Sequence, residues 1–167
     1  MLAQRIEDVI DTVLIGDAKH NALAFSQFLA ANEMVFEREK GYWEDKYYWG
    51  IKHHNAYVCF MLISNEEKTD SESWTVWSDD SGANTYADAW LDETSKELLW
   101  RHVVVCENVE RCFEGCKRSR KTLFGKAFDN VCGTAFKFEN PDLKTVECMK
   151  KMIDVRKDDI RTSMQPR

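Results

Sequence analysis

The stretch AYVCFMLIS, residues 56–64, limits the fold more than any other part of the chain. Both of its alternating sets are apolar: Tyr57, Cys59, Met61 and Ile63 on one side, Val58, Phe60 and Leu62 on the other. Side chains of a strand point alternately to opposite faces, so neither face of this strand can be left in water. It belongs in the middle of a sheet. Its neighbours in sequence supply the partners. MVFEREK (34–40), DKYYWGIK (45–52) and SWTVWSD (73–79) are rich in β-branched and aromatic residues and read as further strands. His53, His54 and Asn55 form the turn into the central strand, and the polar segment NEEKTDSE (65–72) the loop out of it.

Outside this meander the apolar period changes from two to that of a helix. Leu2, Ile6, Val9, Ile10, Val13 and Leu14 predict a first helix, stopped at Gly16, with Asp17 capping a second whose stripe is Ala22, Phe25, Phe28 and Leu29. LDETSKELLWRHV (91–103) predicts a short helix with Thr94 and Glu97 at capping-box spacing. After a last strand, TAFKFE (134–139), Asn140 caps and Pro141 opens a final helix with Leu143, Val146, Met149 and Ile153 on one face. The result is an α+β fold: a mainly antiparallel sheet of about five strands flanked by N-terminal and C-terminal helices. Residues 1–167 form a single domain in this reading, with 103–133 a cysteine-rich basic loop within it.

Length and charge narrow the partners. A chain of 167 residues with 44% hydrophobic content can close a core, and 23 basic against 29 acidic side chains leave a formal charge of −6. That charge repels phosphate backbones and anionic surfaces, which argues against nucleic acid. MLAQRIEDVIDTVLIGDAKH has acids inside its apolar stretch, unlike a signal peptide, and no apolar run reaches membrane-spanning length. The expected setting is cytoplasmic, with no membrane partner.

Four of the six cysteines fall in CENVERCFEGCKRSRKTLFGKAFDNVC, residues 106–132. Cys106, Cys112, Cys116 and Cys132 have the number and softness that zinc takes in a tetrahedral site. Their spacing lacks paired C-x2-C knuckles, so a disulfide or redox pair, or ordinary thiols, stay open beside a metal. Arg111, Lys117, Arg118, Arg120 and Lys121 would offset thiolate charge. Cys59 and Cys148 fall on apolar faces and read as core.

The aromatics make the second candidate. Trp43, Tyr47, Trp49, Trp74 and Trp77 concentrate on neighbouring strands, Tyr47 and Trp49 on one face, Trp74 and Trp77 on opposite faces. Such rings either fill the core or line a cleft for a flat or cationic ligand, which Glu37 and Glu39 could orient. Asp79 and Asp80 fit turn residues as well as a carboxylate pair. His20, His53, His54 and His102 lack metal-ligand spacing and read as surface residues.

GYWEDKYYW, YVCFMLI, WTVWSDDSG, FGKAFDNVC and FENPDLKTVECMKKMIDVRK together resemble a group of small uncharacterised bacterial proteins sharing the WSDDSG and FGKxFDNVC motifs. The C-terminal strand, Asn-Pro and helix are also similar to the YdhG-type, frataxin-like domain of unknown function. These resemblances imply an α+β fold and assign no catalytic residue. Three functions are open to these residues: a non-enzymatic module binding a small aromatic or cationic molecule on an aromatic-lined sheet; a zinc-stapled protein-interaction module using the cysteine-rich loop; and a hydrolase in the aromatic cleft, with Glu37 or Asp79 activating water. The first is the leading reading.

Overall fold

The computed structural model describes residues 4–39, 47–65, 72–79, 84–106 and 118–164. Their order is α1 (Ile6–Val13), α2 (Gly16–Ala31), β1 (Val35–Arg38), β2 (Tyr47–His53), β3 (Ala56–Asn65), β4 (Glu72–Ser78), α3 (Glu93–Trp100), β5 (Val103–Val105), β6 (Ser119–Leu123), β7 (Lys126–Glu139) and α4 (Leu143–Ser163). All described pairings are antiparallel, in the order β1-β2-β3-β4-β7-β5, with β6 paired to β7. The architecture is α+β, with seven strands rather than about five, and helices at both ends. The two additional strands, β5 and β6, fall within 103–133, the segment expected to be a loop, and β7 begins eight residues before the expected Thr134.

β3 sits inside the sheet, between β2 and β4, where its unbroken apolar run requires it to be. Register then sorts the side chains. Trp49 faces Met61, which faces Val76, which faces Phe138, and all four are buried. Helices cover this side: the Phe25 ring of α2 lies 6.1 Å from that of Trp74, and Ile6, Val9 and Ile10 of α1 and Met149, Met152 and Ile153 of α4 join the same buried cluster. Removing this apolar surface from water is the main favourable term holding the layers together.

Local capping departs from the spacing-based expectation at three helices. Asp92, one step before the helix, caps α3 through its carboxylate to the Ser95 amide at 3.1 Å, instead of the Thr94–Glu97 pair. Lys151 of α4 reaches the same carboxylate at 2.9 Å and so ties α3 to α4. Asp142 caps α4, accepting from the Thr145 amide at 2.8 Å. Asn140 instead serves the sheet, its backbone N–H donating to the Trp74 carbonyl at 2.9 Å while its side-chain oxygen accepts from the Trp74 amide at 3.0 Å. It extends the β4 ladder past the end of β7. Asp17 lies in the first turn of α2, whose cap position is Ile15.

One bulge re-aims a side chain of the central strand. Between the Ile51–Cys59 and Lys52–Tyr57 pairs, β3 carries an extra residue, Val58, which is buried. The bulge turns Tyr57 away from the face of Cys59 and toward that of Phe60, whose ring lies 5.0 Å away. Arg156 of α4, 3% exposed, holds the turn from behind: its Nε and Nη2 donate to the Tyr57 carbonyl at 3.1 and 3.0 Å, and its Nη1 to Thr85 Oγ1 at 3.1 Å.

Candidate functional site

The sheet face opposite the helices carries Tyr48 on β2, Tyr57 and Phe60 on β3, and Trp77 on β4. Tyr48 and Phe60 stack at 5.8 Å with planes 6° apart; Tyr48 meets Trp77 edge-on at 6.5 Å. All four rings are only partly buried. The two apolar sets of β3 therefore meet different surroundings: Cys59, Met61 and Ile63 lie in the core, while Phe60 keeps contact with solvent.

Polar groups border these rings. Glu37 on β1 pairs with Lys52 at 2.8 Å, and the Lys52 ammonium lies 4.6 Å from the centre of the Tyr57 ring. Lys137 and Glu139 pair at 2.8 Å on the other side, with Lys137 Nζ 5.8 Å from the Trp77 ring centre. Between these pairs Glu39 reaches in over Gly50, and the Tyr57 hydroxyl donates to its Oε1 at 2.9 Å. Gly50 makes the approach possible: a Cβ there would stand 2.7 Å from Glu39 Oε1 and 2.8 Å from Tyr57 Cε1.

Titration behaviour reflects this crowding. The Tyr48 phenol is pushed up to about 12 by burial, with the charges of Glu39, Tyr57 and Asp79 acting in the same direction. The hydrogen bond to Glu39 raises the Tyr57 phenol, burial adding to it. Glu37 holds the Lys52 ammonium above its ordinary value, against a smaller opposing effect of desolvation. Lys52 and Lys137 thus each have a carboxylate of their own, and Glu39 and Asp79 contribute to the field that Tyr48 feels.

The six residues expected to bind a ligand do not share one surface. Glu37 and Trp77 lie on the partly exposed face. Trp49, 2% exposed, and Trp74, fully buried, are core side chains on the helix-covered face, and Tyr47 packs against that core beside Trp49. Arg38 stands over both Tyr47 and Trp49, its guanidinium carbon 5.0 Å from each ring centre. Trp43 lies outside the described residues, as does Asp80. Tyr48, Tyr57 and Phe60 were missed because an unbroken aromatic run gives no sign of which set the helices will cover. The bulge that re-aims Tyr57 has no sequence signal at all.

Of the four clustered cysteines, Cys112 and Cys116 lie outside the described residues. Cys106 and Cys132 are half-buried free thiols at β5 and β7; Arg118 Nη1 lies 3.8 Å from Cys106 Sγ, and Thr134 Oγ1 3.5 Å from Cys132 Sγ. Among the described residues no group of three or more His, Cys, Asp or Glu side chains is placed to hold a metal. Cys59 and Cys148 are buried, as expected of core thiols, and burial pushes the Cys59 thiol up. His53 departs from the surface role expected of it, being 1% exposed at the end of β2, whereas His20 and His54 are exposed.

Among the described residues no helix is long and apolar enough to cross a membrane. No family model, no curated protein and no solved structure matches the chain.

Proposed function

We propose that this chain is a small-molecule-binding module and that its ligand is a planar, aromatic compound seated on the face of Tyr48, Tyr57, Phe60 and Trp77. One observation carries the reading. Rings from three adjacent strands touch one another and stay partly exposed on the face that the helices leave, although a strand as apolar as β3 calls for cover on both sides. A flat ligand would complete that cover by stacking, the geometry aromatic side chains favour. Ion pairs at both margins would limit its size and position, as sparse polar groups do in apolar sites.

Binding is favoured over hydrolysis by how two of the acids on this face are already engaged. Glu37 is engaged by Lys52, and the Tyr57 hydroxyl is directed at Glu39. The reading is tested by titrating the protein with quinoline, indole and naphthalene derivatives while following tryptophan fluorescence and melting temperature. Saturable quenching that Trp77→Leu removes, with the fold retained, is the expected result. A screen of such compounds that moves neither signal refutes it.

A further inference from the structure

The margin of this face gives the ligand a charge. We propose that the planar ligand is a cation bearing an N–H donor, and that Glu39 is the residue that receives it. The inference rests on the binding reading above and adds the electrostatic class.

The side-chain arrangement supports a cation in three ways. First, Glu39 lies on the ring face itself, since its carboxylate reaches over Gly50 to the Tyr57 hydroxyl, next to the Phe60 ring. An ionised carboxylate has about four lone-pair sites, and the phenol occupies one of those on Oε1. A donor on a stacked ligand would form a charge-assisted bond with the remaining ones.

Second, the described cations near the rings are already neutralised: Lys52 by Glu37 at 2.8 Å and Lys137 by Glu139 at 2.8 Å. Among the described residues Glu39 has no such partner cation at the face. An anionic ligand would be repelled by this carboxylate, and a neutral one would place it under an apolar cover with no cation from the described residues to compensate it, which is costly.

Third, the faces of aromatic rings attract positive charge through their quadrupoles. Two lysines already exploit this at the margins, at 4.6 Å from Tyr57 and 5.8 Å from Trp77. A delocalised planar cation satisfies stacking and charge together. Amidine-like heteroaromatics have that combination, with the charge spread over the ring system and an N–H at its edge.

Three probes of nearly one shape separate the possibilities: 4-aminoquinoline, protonated at neutral pH; 4-methylquinoline, neutral; and quinoline-4-carboxylate, anionic. Dissociation constants come from tryptophan fluorescence at low and at moderate salt. The expected order is cation, then neutral, then anion, with at least about a tenfold gap between the first two. Glu39→Gln, which keeps an acceptor for Tyr57, should reduce that gap to about twofold or less, and added salt should narrow it. Equal affinities, or preference for the anion, overturn the charge assignment while leaving the planar-ligand reading standing. A gap that survives in Glu39→Gln overturns the role of Glu39. Absence of binding by all three probes overturns both proposals.

Discussion

The Tyr57 hydroxyl donates to Glu39 Oε1 at 2.9 Å over the bare Cα of Gly50. Three strands contribute to this one contact. β1 runs out into Glu39, β2 withholds a side chain at position 50, and the bulge in β3 turns Tyr57 toward it. The site is thus a consequence of sheet register as much as of side-chain chemistry.

Gly50→Ala tests that dependence. The new methyl would meet the flexible Glu39 side chain and the edge of the Tyr57 ring, both on the partly exposed face, where they can shift, so the fold should survive with a stability loss within about 1–2 kcal/mol. The Tyr57–Glu39 bond should not survive. The Tyr57 phenol should then titrate at lower pH, since the hydrogen bond to Glu39 is the main cause of its elevation. Ultraviolet difference titration reads this directly, with Tyr57→Phe assigning the band. An unchanged profile in Gly50→Ala would show that the close approach has no influence on the pair.

Substitutions at the tryptophans should separate stability from binding. Trp49 is 2% exposed and faces Met61 and Val76 across two strand pairs, so Trp49→Ala should cost about 3–5 kcal/mol. Trp77, partly exposed on the other face, should cost less than about half of that when truncated. Urea unfolding of the two variants checks the ranking. If Trp77→Ala proves the more damaging, its face is core and the proposed site is lost.

Trp74 and Trp77 show how far the sequence could be read. Alternation alone places Trp74 and Trp77 on opposite faces, and the apolar run of residues 56–64 places β3 inside the sheet. Which face the helices choose depends on tertiary packing, with Phe25 meeting Trp74 rather than Trp77. Residues 119–130 gave no strand signal for a different reason. β6 and the start of β7 are exposed along most of their length, so no apolar alternation marks them. Their hairpin is fixed by the Phe124-Gly125 turn, both residues at positive φ, and by bonds from those two amides to the Tyr86 and Ala87 carbonyls. Phenylalanine rarely takes that conformation. Here its buried ring, 1% exposed against Tyr86 and Phe136, offsets the strain.

Arg156 should prove indispensable in a way lysine cannot replace. Its guanidinium forks onto the Tyr57 carbonyl and also bonds Thr85, with Asp159 3.5 Å away, all from a position 3% exposed. Truncation takes both guanidinium donors from the half-buried Tyr57 carbonyl and leaves the Thr85 hydroxyl with only its own bond to Asp159 at 2.6 Å, at a cost of about 2–4 kcal/mol for Arg156→Met. A lysine supplies a single donor point and no planar fork, so Arg156→Lys should recover less than about half of that loss. Chemical denaturation of both variants decides the matter. Full recovery by lysine would mean that charge, not the fork, is what the bulge requires.

Acid sensitivity above pH 5 should centre on His53. This ring is buried with no hydrogen-bond partner for Nε2 among the described residues, and its Nδ1 stands 3.5 Å from the Glu33 carbonyl. Burial lowers its pKa below the ordinary 6.5, outweighing the hydrogen bond to the Glu33 carbonyl, which acts to raise it, and the nearby His54 and Lys157 add smaller effects in the direction of burial. A base held below its unfolded value binds fewer protons when folded. Stability is therefore complete above about pH 6.5 and is lost progressively as pH falls from there toward the folded value. Asp92 and Asp142, both held below the ordinary 3.8, contribute only to a separate loss beginning near pH 4. His53→Leu removes the titration and fills the position with an apolar group that needs no partner. Its stability at pH 7 should equal or exceed that of the parent, since no strong bond is given up. Melting temperatures between pH 7 and 5 should then fall less steeply in the variant, leaving the dependence supplied by half-buried His102, whose pKa burial also lowers. A parent protein whose melting temperature is flat over that range would show that His53 accepts its proton without cost, and that the buried ring is solvated in a way this geometry does not allow.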